Sequence, residues 1–222
     1  MSVLSISKGN SKMGSIQSIS LPSVVTCRSC DCQKKCYARK LERLRPSVAK
    51  AYQRNLEVLQ SDPETYWREV EASIMMSRFF RFHVSGDIPN AGYFAKMVDI
   101  AKRNPHCEIL CFTKRYEIVN DYINKAYMDS IAGTTIHPQL YNMWMVAEQV
   151  IPKNLHMVLS AWVGLEMVNP FSLPEAHVRY RDNTTTARED AVECGGNCAE
   201  CALTGEGCWI LKNGEQVIFN EH

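Results

Sequence analysis

The sequence lacks the features that mark secreted and membrane-spanning chains. No run approaches the roughly 18 consecutive apolar residues that a membrane-spanning helix requires. The first ten residues contain no continuous apolar core and no small-residue cleavage site, so we expect no signal peptide and no membrane partner. An excess of charge is also missing, since the formal net charge of the 222 residues is +1. That balance neither indicates nor excludes a nucleic-acid partner, and only local patches of charge could do so.

Cysteine, in contrast, is plentiful and clustered. The chain has ten cysteines, and all but two of them fall in two short groups. The first group is Cys27, Cys30, Cys32 and Cys36, and the second group is Cys194, Cys198, Cys201 and Cys208. Because we expect a reducing, cytoplasmic location, such groups indicate metal or cluster ligands rather than disulfides.

The spacing of the first group favours an iron–sulfur cluster over a zinc ion. It lacks the two separated ligand pairs of a common zinc finger. Cys30 and Cys32 are separated by one residue, so both could hardly bind one small ion without strain. A four-iron (4Fe-4S) cubane offers separate irons to three or four thiolates from one loop. Zinc and four unrelated buried thiols are the alternatives.

The second group makes a complete set of four thiolates. Gly195, Gly196, Gly205 and Gly207 lie among its cysteines and let the backbone wrap closely around a metal centre. A site with every ligand position filled by protein is structural or relays electrons. Zinc and a second cluster are both open here, and the two groups could also meet and share ligands.

Alternating strand and helix patterns predict an α/β fold. Apolar and branched residues predict strands at 78–85, 108–113 and 155–163, with weaker strands at 16–19 and 176–180. Capping residues and apolar periodicity predict helices between most of them. Connections of helical length imply right-handed crossovers and a parallel sheet. Five or six strands are too few for a closed eight-stranded barrel, so we expect a partial (β/α) barrel or an open parallel sheet.

The pattern divides the chain after residue 182. Residues 1–182 form the predicted α/β domain with its N-terminal cysteine loop, and residues 183–222 form a cysteine-rich, metal-binding tail. Within the tail, Asn213-Gly214 lies between strand-forming residues, which predicts a two-residue hairpin. We therefore expect an α/β domain followed by a cysteine-rich C-terminal hairpin extension.

Several segments resemble the phage-associated Gene product 88 family. They are Leu21-Pro22-Ser23, Thr26-Cys27, Cys32 to Lys40, Arg81 to Asp87, and Thr113-Lys114. The resemblance extends over most of the chain and implies a cysteine-rich protein of phage or mobile-element context. It brings no established reaction with it.

A more distant similarity is to radical S-adenosylmethionine enzymes. In these enzymes a Cys-x3-Cys-x2-Cys loop holds a four-iron cluster, and the open iron binds S-adenosylmethionine. Cys32-x3-Cys36 is similar to the first half of that loop. Arg39 stands where the third cysteine is due, so Cys27 or Cys30 would have to replace it. The similarity implies a radical-enzyme-like first domain with S-adenosylmethionine as a cofactor.

Polar residues follow the predicted strands at the edge where ligands of parallel α/β folds gather. The candidate cofactor-binding residues are Ser85, Gly86, Asp87, Thr113, Lys114 and Ser160. By the similarity to radical S-adenosylmethionine enzymes, Asp87 is the acid that faces the methionine amino group. The alternative is a turn in which Asp87 only caps the next helix.

Three further residues with reactive side chains are expected in the core. His83 lies within a predicted strand, and we interpret it as a core histidine rather than a ligand. Cys107 and Cys111 lie on or beside a predicted strand, and we interpret them as small core residues.

Two functions compete. The first is an iron–sulfur cluster protein with redox chemistry similar to that of radical S-adenosylmethionine enzymes, acting on a small-molecule ligand. The second is a module that is held together by zinc or by a cluster and that binds nucleic acid or protein without catalysis. The second would use a basic run made of Lys34, Lys35, Arg39, Lys40, Arg43 and Arg45. The sequence assigns no catalytic residue.

Overall fold

Seven parallel strands form one open sheet. The structure is a computed structural model and describes residues 3–27, 31–132 and 143–221. The strands are β1 (Gln17–Ile19), β2 (Phe79–Phe82), β3 (Glu108–Thr113), β4 (Leu155–Ser160), β5 (Glu175–Arg179), β6 (Val192–Glu193) and β7 (Gln216–Asn220). Their order in the sheet is β1-β2-β3-β4-β5-β7-β6, and every pair is parallel. The predicted parallel α/β fold is therefore confirmed in its open form, without closure into a barrel.

Most of the helices lie between the first four strands, and the last one lies in the C-terminal cysteine-rich segment. They are α1 (Ser23–Thr26), α2 (Tyr37–Leu44), α3 (Pro46–Ser61), α4 (Pro63–Met75), α5 (Ala91–Arg103), α6 (Tyr116–Ile131), α7 (Met143–Val150) and α8 (Cys198–Thr204). Asp62 and Asn90 begin α4 and α5 by accepting the backbone N–H of the residue three positions on. Within the described ranges, no helix is both long enough and apolar enough to cross a bilayer.

The sheet buries a different set of side chains on each face. Alternate strand residues such as Phe80, Ile109 and Met157 pack with helices α3 to α7 in the larger core. Their neighbours Leu110 and Val158 point the other way and pack with a smaller cluster. That cluster contains Met13 and Ile16 from the N-terminal segment, Ala202 and Trp209 from the cysteine-rich segment, and Val217 from β7. The cysteine-rich segment thus covers the sheet face that lacks the long helices.

The predicted C-terminal hairpin is wrong. Gly214 has φ +84°, so Asn213-Gly214 does form a turn. The chain that leaves this turn is β7, which pairs in parallel with β5 on one side and β6 on the other. An apolar β7 gains more burial between two strands than in an isolated ribbon. As a result, residues 183–222 share their sheet with residues 1–182.

His83 is a core residue, as the sequence predicts, with an unusual backbone. Its φ is 60°, in the left-handed region, and its backbone N–H donates to Ile19 O at 2.9 Å. The side chain is 4% exposed and lies 5.4 Å from the ring of Tyr93, centroid to centroid. Neither ring nitrogen has a hydrogen-bond partner among the described residues. Burial alone lowers the pKa of His83 to about 3.

Replacing His83 should make the stability of the protein less dependent on pH. Because the folded state holds the imidazole neutral, the unfolded chain binds an extra proton below about pH 6.5, and stability falls as the pH falls. We expect His83→Phe to remove about 2 kcal/mol of the stability difference between pH 7 and pH 5, measured by urea unfolding. The exposed His106→Gln is the control. An unchanged pH dependence in His83→Phe would show that the imidazole takes up its proton in the folded state as readily as in the unfolded chain.

Candidate metal and ligand site

The carboxyl ends of β1, β2 and β3 bring several predicted site residues together. All strands run the same way, so their carboxyl ends lie at one edge of the sheet. Helix α1 follows β1 and ends at Cys27, whereas the Ser85-Gly86-Asp87 turn follows β2. Thr113 closes β3. The N-terminal cysteine loop therefore begins beside the polar residues that follow β2 and β3.

The carboxylate of Asp87 is buried and accepts three hydrogen bonds from the protein. Its Oδ1 accepts Thr113 Oγ1–H at 2.5 Å and its own neighbour Ile88 N–H at 2.8 Å, and its Oδ2 accepts Lys114 N–H at 2.9 Å. The backbone N–H of Asp87 donates to Thr26 Oγ1 at 3.1 Å. Burial raises the pKa of Asp87, and the three donors oppose that rise. This carboxylate therefore cross-links the edge rather than capping a helix.

Gly86 and Glu42 help to hold the turn after β2 against the segment around α1. Gly86 has φ +81°, and a Cβ there would lie 2.6 Å from Leu21 O, so α1 can approach the turn only because residue 86 is glycine. Glu42 Oε1, on α2, accepts Ser85 Oγ–H at 2.6 Å and Ser23 N–H at 3.1 Å. No local sequence pattern indicates this role of Glu42, which comes from the docking of α2.

The predicted pocket residues divide into a connected set and one neighbour. Ser85, Gly86 and Asp87 lie in one network with Thr113 and Lys114. Ser160 lies at the same edge, because β4 pairs with β3 so that Leu159 stands opposite Thr113. Its carbonyl accepts the hydroxyl of Tyr116. That these six residues bind a cofactor stays a prediction.

The first cysteine group is only partly available as thiols. Cys27 and Cys36 are free and half-buried, and Cys36 is one of the groups that raise the pKa of Cys27. Burial, followed by the charge of Asp87, raises the pKa of Cys27 to about 12, and Lys114 opposes that rise. Cys32 is disulfide-bonded, so its sulfur is not a thiolate ligand in this state. Cys30 lies outside the described residues.

The four cysteines of the second group converge and remain free thiols. Cys194 follows β6, Cys198 and Cys201 lie on α8, and Cys208 lies in a 3₁₀ helix at Gly207–Trp209. Burial raises the pKa of Cys208 to about 12, and nearby Cys194 and Cys198 add to the rise. The same pair, after burial, raises the pKa of Cys201. The four thiols therefore share one local electrostatic environment.

Backbone geometry fits closely around these thiols. The N–H of Gly196 donates to Cys194 Sγ at 3.4 Å. Gly207 has φ +58°, and a Cβ at this position would lie 3.2 Å from Cys201 Sγ. Trp209 Nε1–H donates to Cys198 O at 3.2 Å and so fixes the start of α8. Gly207 thus does what the sequence predicts, since it admits close approach of backbone to sulfur, whereas a Cβ at Gly195, Gly196 or Gly205 would meet nothing within 4 Å.

Arg81 places a positive charge beneath the second group. Its guanidinium stacks 4.9 Å from the centroid of the Phe112 ring, and its Nε is buried without a partner among the described residues. It lies near enough to Cys208 to lower the pKa of that thiol against the effect of burial. Sequence reasoning missed Arg81, although a lone arginine within an aromatic strand was a visible signal.

The two cysteine groups are neighbours. Tyr37 donates its hydroxyl to Val84 O, and its phenol lies within electrostatic reach of Cys27, Cys36 and Cys198. Within the described part of the chain, no three His, Cys, Asp or Glu side chains are arranged to hold a metal ion.

Comparison with known proteins decides the family. The chain matches the family described as Gene product 88 over residues 4–204. The chain belongs to the Gene product 88 family. This confirms the resemblance carried by the segments around Cys27, Asp87 and Lys114. The matched range includes three cysteines of the second group and ends before Cys208.

A relative of this Gene product 88 protein comes from a phage. The Gene 88 protein of Mycobacterium phage L5 is 29% identical over 139 residues, which are 56% of this chain and 58% of that protein. The chain thus spans less than two thirds of that relative. No solved structure matches the chain. The chain is therefore a phage-type protein, and neither comparison attaches a reaction to it.

Removing the Asp87 carboxylate from this Gene product 88 protein should destabilise it strongly. Asp87→Ala would leave the buried donors on Thr113, Ile88 and Lys114 without their acceptor, and each unsatisfied donor costs about 1 to 3 kcal/mol. We expect a loss of at least about 2 kcal/mol in the free energy of unfolding relative to the exposed control Asp99→Ala. Urea unfolding measures both. Equal stabilities would mean that the edge does not depend on this carboxylate.

Proposed function

We propose that this protein is an iron–sulfur protein whose second cysteine group holds a four-iron cluster. The observation that carries the proposal is that four free thiols, at Cys194, Cys198, Cys201 and Cys208, pack against one apolar cluster on the same sheet face. Four thiolates are the ordinary ligand set of such a cluster. A bound cluster of this kind would supply one-electron transfer or a structural link.

The surroundings of the thiols fit a negatively charged centre. The guanidinium of Arg81 has a buried, unpartnered Nε–H and lies close to Cys208. The Gly196 N–H already donates to the sulfur of Cys194. Backbone amides and a nearby cation both lower the cost of holding thiolate charge in a buried place. Both are present here before any metal is considered.

Zinc is the alternative occupant of the second group. A zinc ion gathers four sulfurs around one atom, whereas a cubane binds each sulfur to a different iron. As placed, the described His, Cys, Asp and Glu side chains form no group that could hold a metal ion. Four thiolates suit either occupant, so metal analysis has to separate the two.

The first cysteine group supports a weaker proposal. A three-thiolate set of Cys27, Cys32 and Cys36 could form only after a thiol reductant reduces the disulfide at Cys32. An S-adenosylmethionine ammonium group would also find Asp87 already accepting three hydrogen bonds. For these two reasons we place the cluster at the second group and keep a radical S-adenosylmethionine-like activity as a secondary proposal.

Metal analysis of anaerobically purified protein tests the main proposal. We expect about four irons and four sulfides per chain and a broad absorption near 400 nm. Cys198→Ser combined with Cys201→Ser should abolish both signals, whereas Cys27→Ser combined with Cys36→Ser should keep them. Stoichiometric zinc without iron would contradict the cluster. Loss of iron only in the Cys27 and Cys36 variant would place it in the first group instead.

Two glycines in the same segment give a sharper test of the second group. Gly205 and Gly207 both have positive φ, at 70° and 58°, so alanine strains the backbone at each. Only at Gly207 would the new Cβ also meet the sulfur of Cys201, because nothing lies within 4 Å of a Cβ at Gly205. We expect Gly207→Ala to lose its metal to a chelator about fivefold more readily than Gly205→Ala. Equal retention would show that Cys201 does not hold the metal.

A further inference from the structure

A large open cleft lies at the carboxyl edge of the sheet, on the side of β4, β5 and β7. Its volume is about 1150 Å³. One wall is the 3₁₀ helix at Asp31–Lys35 together with α2, and the other wall is the chain that follows β4, β5 and β7. Cys36 lies at its border, but no cysteine of the second group lines it. The cleft is therefore separate from the site proposed for the cluster.

The lining of the cleft is strongly basic. Its cations are Lys34, Lys35, Arg39, Lys40, Arg43 and Arg181, and its carboxylates are Glu42, Asp182 and Glu221. The formal net charge of the whole chain is only +1, so this excess of cations is local. A concave surface lined by one sign of charge concentrates ligands of the opposite sign.

The three carboxylates are engaged inside the protein. Glu42 accepts from Ser85 and Ser23, whereas Asp182 accepts both the N–H and the hydroxyl of Thr184. Glu221 pairs with Lys35 Nζ at 2.8 Å. These three carboxylates are thus already in contact with protein donors. The remaining basic groups therefore determine the sign of charge that the cleft attracts.

The charged groups of four of the cations form no ion pair within the described part of the chain. Arg39, Lys40, Arg43 and Arg181 form no ion pair with any residue in the described ranges. Arg39 donates only to the amide oxygen of Gln33, at 3.1 Å. Basic residues on a helix usually form a solvated face, but the three on α2 face a second wall across the cleft. Arg181 lies on that second wall. They are therefore positioned to meet one anionic ligand together.

The opposite wall supplies an aromatic surface. Tyr180 is half-buried, with Lys35 Nζ 5.4 Å from its ring centroid. Trp162 packs edge-on against the Tyr180 ring at 5.6 Å, centroid to centroid, and Val163 N–H donates to the Tyr180 hydroxyl at 3.3 Å. An oriented aromatic ring beside several cations is the combination that binds a phosphate backbone and stacks a base.

We propose that this cleft binds single-stranded nucleic acid. Arg39, Lys40, Arg43 and Arg181 would contact successive phosphates, and a base would stack on Tyr180. The cleft is open to solvent and its cations lie on both walls, which suits a chain with several phosphates. A duplex keeps its base faces inside the stack, so it has no face to offer Tyr180. This inference does not depend on the cluster, because no residue of the second cysteine group takes part.

Fluorescence anisotropy with a labelled oligothymidylate of about 15 nucleotides tests the proposal on the full chain. We expect Arg39→Gln combined with Arg43→Gln to weaken binding about tenfold or more and to lower the salt slope by about 1.4. The control is Lys50→Gln combined with Arg54→Gln on α3, which removes the same charge at the same spacing outside the cleft. Circular dichroism and thermal unfolding check that both variants fold.

The aromatic and single-strand parts of the proposal have separate tests. Tyr180→Leu should weaken binding about fivefold or more while leaving the salt slope unchanged, since stacking is not ionic. A duplex of equal length and free adenosine triphosphate should compete poorly. Equal effects of the two double variants, no binding, or tighter binding of duplex or nucleotide would each overturn the proposal. Each outcome is independent of the iron content, so this inference and the cluster proposal fail separately.

Discussion

The buried carboxylate of Asp87 is the contact on which the carboxyl edge of the sheet depends. It accepts hydrogen bonds from the end of β3 and the start of the α6 connection, and its own N–H reaches Thr26 on α1. Buried donors without an acceptor are costly, so this arrangement fixes three segments relative to one another. Because α1 ends at Cys27, the same contact determines where the N-terminal cysteine loop begins.

The cysteine-rich segment is placed by apolar packing as well as by its cysteines. Strands added in sequence through right-handed crossovers leave their helices on one face, and the opposite face still has to be covered. Trp209 and Ala202 cover it with Met13 and Ile16 from the N-terminal segment. The four thiols pack against this layer, so any metal that they bound would be coupled to the packing of the second face of the sheet.

Charge is separated within a nearly neutral molecule. Arg81 lies beneath the second cysteine group, where it opposes the rise that burial causes in the pKa of Cys208, and its buried Nε–H has no partner among the described residues. The cations of α2 instead line an open cleft whose carboxylates are engaged elsewhere. A net charge of +1 therefore hides two basic environments of different character, one buried and one open to solvent.

The sequence by itself determined strands β1 to β5, most of the helices and the parallel architecture, because apolar periodicity and caps such as Asp62 and Asn90 are local signals. It also identified the cysteine groups and the polar residues of the sheet edge. Only the tertiary structure decided that β7 enters the sheet between β5 and β6, that Asp87 accepts three internal hydrogen bonds, and that Arg81 lies under the thiols. These features depend on contacts between residues far apart in the chain, and no local pattern specifies which of several burial partners a strand or a charge will find.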